Sequence, residues 1–253
     1  MRRIAIALVC TCSFASSLPA MVGGAPPAGE DTGGAVVMLT GSHGTFCSGV
    51  ALTRDLVLTA AHCLLPGASY KLVEFDTARQ AVLKDLASIA RHPDFDVSAV
   101  LRHRVTADVA LTKLAAPLKV IPASLAPDGG SAAAGDRFVV AGYGVAVRGD
   151  GKTGGTLRTA TLVATGRPGT LQIRLADPAT KGERPGLGAC TGDSGAPVYR
   201  DRSGALAVIG LVSWSTGPAL SDGCGGLTGV TPLARYRAWI LQQAMKMGSP
   251  LPP

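Results

Sequence analysis

What most constrains this chain is a recurrence of short apolar runs cut apart by glycine and proline. In the first half they are "AVVMLT" (35–40), "SGVALT" (48–53), "LVLTA" (56–60), "YKLVEF" (70–75) and "VALTKL" (109–114). The second half has "RFVVAGYGVAV" (137–147), "TLRTATLVA" (156–164), "TLQIRLA" (170–176), "APVYR" (196–200) and "ALAVIGLVSWS" (205–215). Runs this short suit strands, and no helices alternate with them, so the fold class is all-β with one barrel or sandwich in each half. The 50 Gly and Pro residues, against only 16% charged residues, agree with many turns and few long helices. Between the halves, "AAPLKVIPASLAPDGGSAAAG" (115–135) reads as a crossover linker. One helix is expected, at the end: Thr231 as N-cap, Pro232 in the first turn, then Leu233, Arg237, Ile240 and Ala244 at helical spacing.

The first twenty residues, "MRRIAIALVCTCSFASSLPA", have the charged start, apolar run and small residues of a signal peptide. The run is short for a membrane span, and no later stretch is long enough to be one. Removing the leader takes away two arginines and no acid, so the formal charge of +7 becomes +5. A mild excess like this serves solubility; with no basic block and no aromatic ladder, nucleic acid is not an expected partner. Export places the protein in a secreted or periplasmic setting, where Cys47, Cys63, Cys190 and Cys224 form an even set able to oxidise. Three pairings are possible; joining near neighbours would staple each half separately. The spacing offers no Cys-x-x-Cys, so no metal and no cofactor are expected.

Three stretches carry chemistry. "LVLTAAHCLL" (56–65) ends an apolar run on His62, beside a cysteine. "ADVALTKL" (107–114) puts Asp108 at the mouth of another run, and "CTGDSGAPV" (190–198) sets Ser194 next to Asp193 between glycines. A serine hydroxyl is a weak nucleophile unless a base takes its proton and donors hold the charge that develops on the substrate.

Together "TAAHC", "ADVAL" and "GDSGAP", in that order and spacing, resemble the chymotrypsin/trypsin-like serine protease family, as a secreted member of bacterial type. The 41 residues from "MVGG" (21–24) to His62 and the 16 between Cys47 and Cys63 fit as well, so the likeness covers residues 21–247. It implies two antiparallel β-barrels packed face to face with a C-terminal helix: leader 1–20, barrels 21–125 and 126–231, helix 232–247. It also implies a triad of His62 as base, Asp108 as its orienting acid and Ser194 as nucleophile, with the N–H groups of Gly192 and Ser194 as oxyanion hole. In the same family pattern Asp193 accepts an ion pair from the amine of the mature chain, here Met21.

The substrate pocket implied has Gly188 at its base and Ala189 next to it. Its wall is Ser213, Trp214 and Ser215 with Gly229 opposite, and Cys190–Cys224 clamps the two sides. An aspartate would hold Lys or Arg at position 188, and glycine cannot. Cleavage is therefore expected after uncharged residues, medium-sized or aromatic, although Asp222 in the neighbouring loop is placed to approach from the side. Met21 departs from the usual Ile or Val, no basic residue precedes it, and Ser215 replaces a usual glycine. His43, His92 and His103 read as surface or satisfied polar residues, and "RGD" (148–150) as a loop tip.

The expected activity is thus a serine-type endopeptidase, a monomer acting on protein or peptide substrates, with protein inhibitors as further partners. The alternative is a catalytically silent homologue that acts as a binding protein.

Overall fold

Strand "RTATLVAT" alternates buried and half-buried residues along its whole length, the period of two that sets one face on a core. The computed structural model describes residues 21–76, 80–127, 131–202 and 205–252, with the backbone alone for Arg202. The leader read at 1–20 lies outside the described residues.

Six strands make the first barrel: β1 (Val36–Gly41), β2 (Phe46–Ala51), β3 (Leu56–Thr59), β4 (Tyr70–Phe75), β5 (Ala81–Arg91) and β6 (Ala110–Leu114). They close in the order β1-β2-β3-β6-β5-β4, every pair antiparallel. A two-residue strand β7 (Ser124–Leu125) lies in the crossover and pairs in parallel with residues 207–208 of the second half. The second barrel contains β8 (Arg137–Gly142), β9 (Arg158–Thr165), β10 (Ile173–Ala176), β11 (Pro197–Arg202), β12 (Ala205–Ser215) and β13 (Leu227–Pro232). Its sheet runs β11-β8-β9-β10-β13-β12 and closes through β11 on β12.

Closure removes the open edges that would otherwise bind stray strands. Each barrel has its own core, Leu39, Leu72 and Leu118 in the first and Phe138, Leu162 and Leu175 in the second, all essentially without solvent contact. A third cluster joins Val50, Leu58 and Leu111 of the first barrel to Ala141, Val208 and Leu211 of the second, and Leu233, Ile240 and Ala244 cover it. Each large aliphatic chain so buried is worth about 1.5–3 kcal/mol, so the barrels are held to one another by the same force that fills them.

The terminal helix starts later than the sequence suggests. Thr231 and Pro232 remain in β13, paired with Leu211 and Gly210, because the ladder claims them first. A 3-10 turn at Ala234–Tyr236 follows, and the α-helix is Arg237–Lys246. Both intramolecular bridges join near neighbours, Cys47–Cys63 and Cys190–Cys224. Among the described residues no helix is long and apolar enough to cross a membrane.

Candidate active site

The fully buried strand β3 delivers Ala60 in extended conformation to a 3-10 turn at Ala61–Leu64, and His62 stands on that turn. Cys63, with no solvent exposure, is tied to Cys47 on β2, so the histidine is carried by a segment anchored at both ends. Across from it, Asp108 occupies a tight turn entering β6, with Asp108 N–H donating to Thr106 O and Val109 N–H to Ala107 O.

Asp108 has no solvent exposure, yet its carboxylate is well supplied with donors. His62 N–H reaches Oδ1 at 3.0 Å, His62 Nδ1 lies 2.8 Å from Oδ2, and Ser213 Oγ donates to the same Oδ2 at 2.5 Å. Burial alone would raise its pKa; the charge interaction with His62 and the bonds from His62 and Ser213 outweigh this and hold it below the ordinary carboxylate value. Ser213 belongs to β12, so the second barrel helps to fix the acid of the first. With Nδ1 facing Asp108, a neutral imidazole carries its proton there and turns a bare Nε2 to the cleft.

Ser194 sits between two glycines of positive φ, Gly192 (+95°) and Gly195 (+79°). A side chain at Gly195 would come within 2.2 Å of Thr59 Oγ1 and 2.3 Å of Ser48 O, so glycine is what lets this turn press on the first barrel. Within the turn, Gly195 N–H donates to Val212 O and Ala196 N–H to Asp193 O, while Asp193 N–H donates to Cys190 O. The N–H groups of Gly192 and Ser194 have no acceptor among the described residues. Two free donors beside a hydroxyl are what a developing oxyanion requires.

His62 and Ser194 line one cleft of about 360 Å³, together with Phe46, Gly192, Trp214 and Ser215. No hydrogen bond joins Nε2 to Ser194 Oγ among the described residues; such contacts are commonly long until substrate is bound. Apart from His62 the cleft carries no ionisable side chain. Ala189 also lines it and donates its N–H to the buried Thr228 Oγ1 at 3.0 Å. Gly188 is buried and bridged to Val22, and a Cβ there would meet only ordinary contacts, Gly225 Cα at 3.4 Å and Thr228 Oγ1 at 3.5 Å. Ser215 Oγ turns to Gly223 O at 3.1 Å.

Gly229 does not line the cleft itself; it pairs with Trp214, which does, and a Cβ there would fall 2.0 Å from the indole. Asp222 is exposed and does not line the cleft, and its carbonyl accepts from Arg148 at 2.7 Å. His103 has a role that the sequence did not suggest. Its ring stacks on Trp214, centroids 4.8 Å apart. Phe46 and Ser48 were also missed, although both flank Cys47, whose bond to Cys63 fixes their distance from His62.

Asp193 is wholly buried, and its two oxygens accept from Gly144 N–H and Cys190 N–H, each at 2.9 Å. Burial pushes its pKa up to about 7 despite those two bonds. No cation pairs with it among the described residues. Met21, equally buried, packs in the core of the second barrel with Ala189 and Ala196.

A family model described as Trypsin matches residues 21–240. The chain belongs to the trypsin family of serine proteases. It is 28% identical over 220 residues to a vitellin-degrading protease of Bombyx mori, covering 81% of this chain and 77% of that protein. A coagulation factor IX of Cavia porcellus is 27% identical over 231 residues, covering 80% and 74%. Identity to a vitamin K-dependent protein C of Oryctolagus cuniculus is 28% over 233 residues, and there the match takes in 81% of this chain but 48% of that protein.

Proposed function

We propose that the protein is a secreted serine endopeptidase of bacterial type that hydrolyses peptide bonds through an acyl-enzyme on Ser194. The observation that carries this reading is the pair His62–Asp108, at 2.8 Å, turning its imidazole into the cleft that also holds Ser194 and two uncommitted N–H groups. His62 Nε2 takes the proton as Ser194 Oγ attacks the scissile carbonyl, and Asp108 stabilises the imidazolium. The oxyanion of the tetrahedral intermediate accepts from Gly192 and Ser194 N–H. Collapse passes the proton to the leaving amine, and water repeats the sequence on the acyl group.

Substrate is held as an extended strand along Ser213–Ser215. A cleft lined by Ala189 and, apart from His62, by no ionisable side chain among the described residues, with Gly188 where an aspartate would hold a basic side chain, favours uncharged residues before the cut bond. The leader supports export, and cutting after Ala20 frees the Met21 amine to pair with Asp193, which otherwise has two backbone donors and no cation. The name of the Bombyx mori relative, a vitellin-degrading protease, agrees with a protein substrate.

A fluorophosphonate probe and a set of synthetic peptides varying the residue before the cut bond test the reading together. The expected result is labelling that vanishes in Ser194→Ala, and cleavage after uncharged residues at least ten times faster than after Lys or Arg. Absence of labelling in folded protein whose chain begins at Met21 would point to a binding protein instead.

A further inference from the structure

We infer that Ser48, a residue of the first barrel, positions the oxyanion donors of the second. The inference rests on the proposed protease activity and adds a part to its machinery. Ser48 follows Cys47 on β2 and has no solvent exposure. All of its polar groups are engaged. Its N–H donates to Ser194 O at 2.8 Å, and its carbonyl accepts from Thr59 Oγ1 at 2.7 Å. Its hydroxyl donates to Gly192 O and accepts from Tyr143 N–H, both at 2.9 Å.

The pattern of these partners is what matters. The two residues whose N–H groups face the cleft are Gly192 and Ser194, and the carbonyl of each is tied to Ser48. A donor is useful to an oxyanion only if its direction is fixed before the charge develops. Gly192, at φ +95°, is in a region where glycine moves freely, so its own backbone gives little resistance to rotation. The peptide that carries its N–H is held by Val145 N–H donating to Thr191 O at 2.8 Å, and the Ser48 hydroxyl holds the peptide on the other side of its Cα, so the two bonds together fix φ and ψ at Gly192.

Ser48 also shares a load with Asp193. Consecutive N–H groups of the 143–144 segment divide between them, Tyr143 to the Ser48 hydroxyl and Gly144 to the Asp193 carboxylate. The catalytic turn is therefore held from two directions: by an acid within it, and by a hydroxyl of the opposite barrel. Ser48 touches no substrate atom in this scheme; it acts through Gly192.

Ser48→Ala removes the hydroxyl and leaves the backbone bond to Ser194 O in place. Expected in that variant is a fall in kcat of about 10- to 100-fold with KM changed less than threefold, since the ground state hardly uses the hole. Affinity for a peptide boronic acid, whose tetrahedral adduct places an oxygen in the hole, should fall by the same factor as kcat. A product peptide carrying the same side chains should bind unchanged. Ser48→Thr, which keeps the hydroxyl, should recover most of the boronate affinity.

If Ser48→Ala keeps kcat and boronate affinity within twofold, or loses boronate and product binding equally, the positioning role is wrong. Amide hydrogen exchange decides the matter independently of turnover. Tyr143 N–H should exchange faster in Ser48→Ala than in the wild type, and an unchanged rate overturns the inference. A wild type that neither turns over peptides nor takes the fluorophosphonate label would refute the protease reading alone, leaving exchange to judge Ser48.

Discussion

Asp108 in the first barrel and Asp193 in the second are both carboxylates with no solvent exposure, and both lie within a residue or two of the chemistry, yet their surroundings differ sharply. Asp108 receives the His62 ring, the His62 N–H and the Ser213 hydroxyl, and titrates below the ordinary value. Asp193 receives two backbone N–H groups, and burial carries it up to about 7. Every partner of the first acid is built into the chain. Among the described residues the second has a place for charge without a cation to settle it there. The contrast teaches that two backbone amides do not offset the burial of Asp193, whereas the ring, amide and hydroxyl donors of His62 and Ser213 more than offset that of Asp108.

The largest expected effect breaks the better supplied of the two acids. Asp108→Asn should leave the fold intact and lower kcat by about 10⁴-fold, the scale known for triads of this family, because the amide favours the wrong tautomer of His62. Steady-state kinetics on a peptide amide checks it, with circular dichroism as the control for folding.

Next comes Asp193, which has no cation among the described residues. When residue 21 has no free amine, native Asp193 takes up a proton between 3.8 and about 7 that the unfolded chain does not hold. The stability this contributes is complete below 3.8 and is lost as pH rises through 7, a fall of about 4 kcal/mol. Urea unfolding of a chain that begins at Ala20 should show that decline between about pH 4 and pH 7. Asp193→Asn should abolish it, and a chain that begins at Met21 should resist it, the amine now meeting the carboxylate.

A smaller effect sharpens the comparison by stripping one donor from Asp108. Ser213→Ala should cost about 2 kcal/mol at neutral pH, the size of one hydrogen bond to a charged group. Because the pKa of Asp108 is lowered, the bonds that hold its anion stabilise the fold above the ordinary carboxylate value and lose that effect as pH falls below it. The penalty should therefore shrink in acid, which chemical denaturation at pH 7 and pH 3 would reveal.

The contrast between the acids also marks what a sequence discloses. Five strands of each barrel were legible as apolar runs. The sixth in each was not, for two different reasons. β5 is paired on both edges but keeps most of its side chains in or near solvent, so it lacks the alternation that advertises a strand. β13, "LTGVTP", is interrupted by glycine and proline, and its buried position comes from its neighbours β10 and β12. Thr231 and Pro232 misled in the same way: a good helix start by local chemistry, overruled by a ladder that local chemistry does not encode.

At the site, His62, Asp108, Ser194 and the glycine turn stood out because each is embedded in a distinctive string. Ser48 and Phe46 had no such context, since their importance lies in what approaches them from residues 143 and 192. Gly229 stands behind the cleft wall, since the register of β13 on β12 sets it against the indole of Trp214.

Each disulfide closes on its own half, Cys47–Cys63 in one and Cys190–Cys224 in the other, so among the described residues no covalent strut spans the crevice. The halves are aligned instead by the buried cluster they share and by polar latches such as Ser213 on Asp108 and Ser48 on Gly192. Any shift of one half on the other would have to expose that shared hydrocarbon, so His62 and Ser194 are kept in register by exclusion of water and not by a cystine.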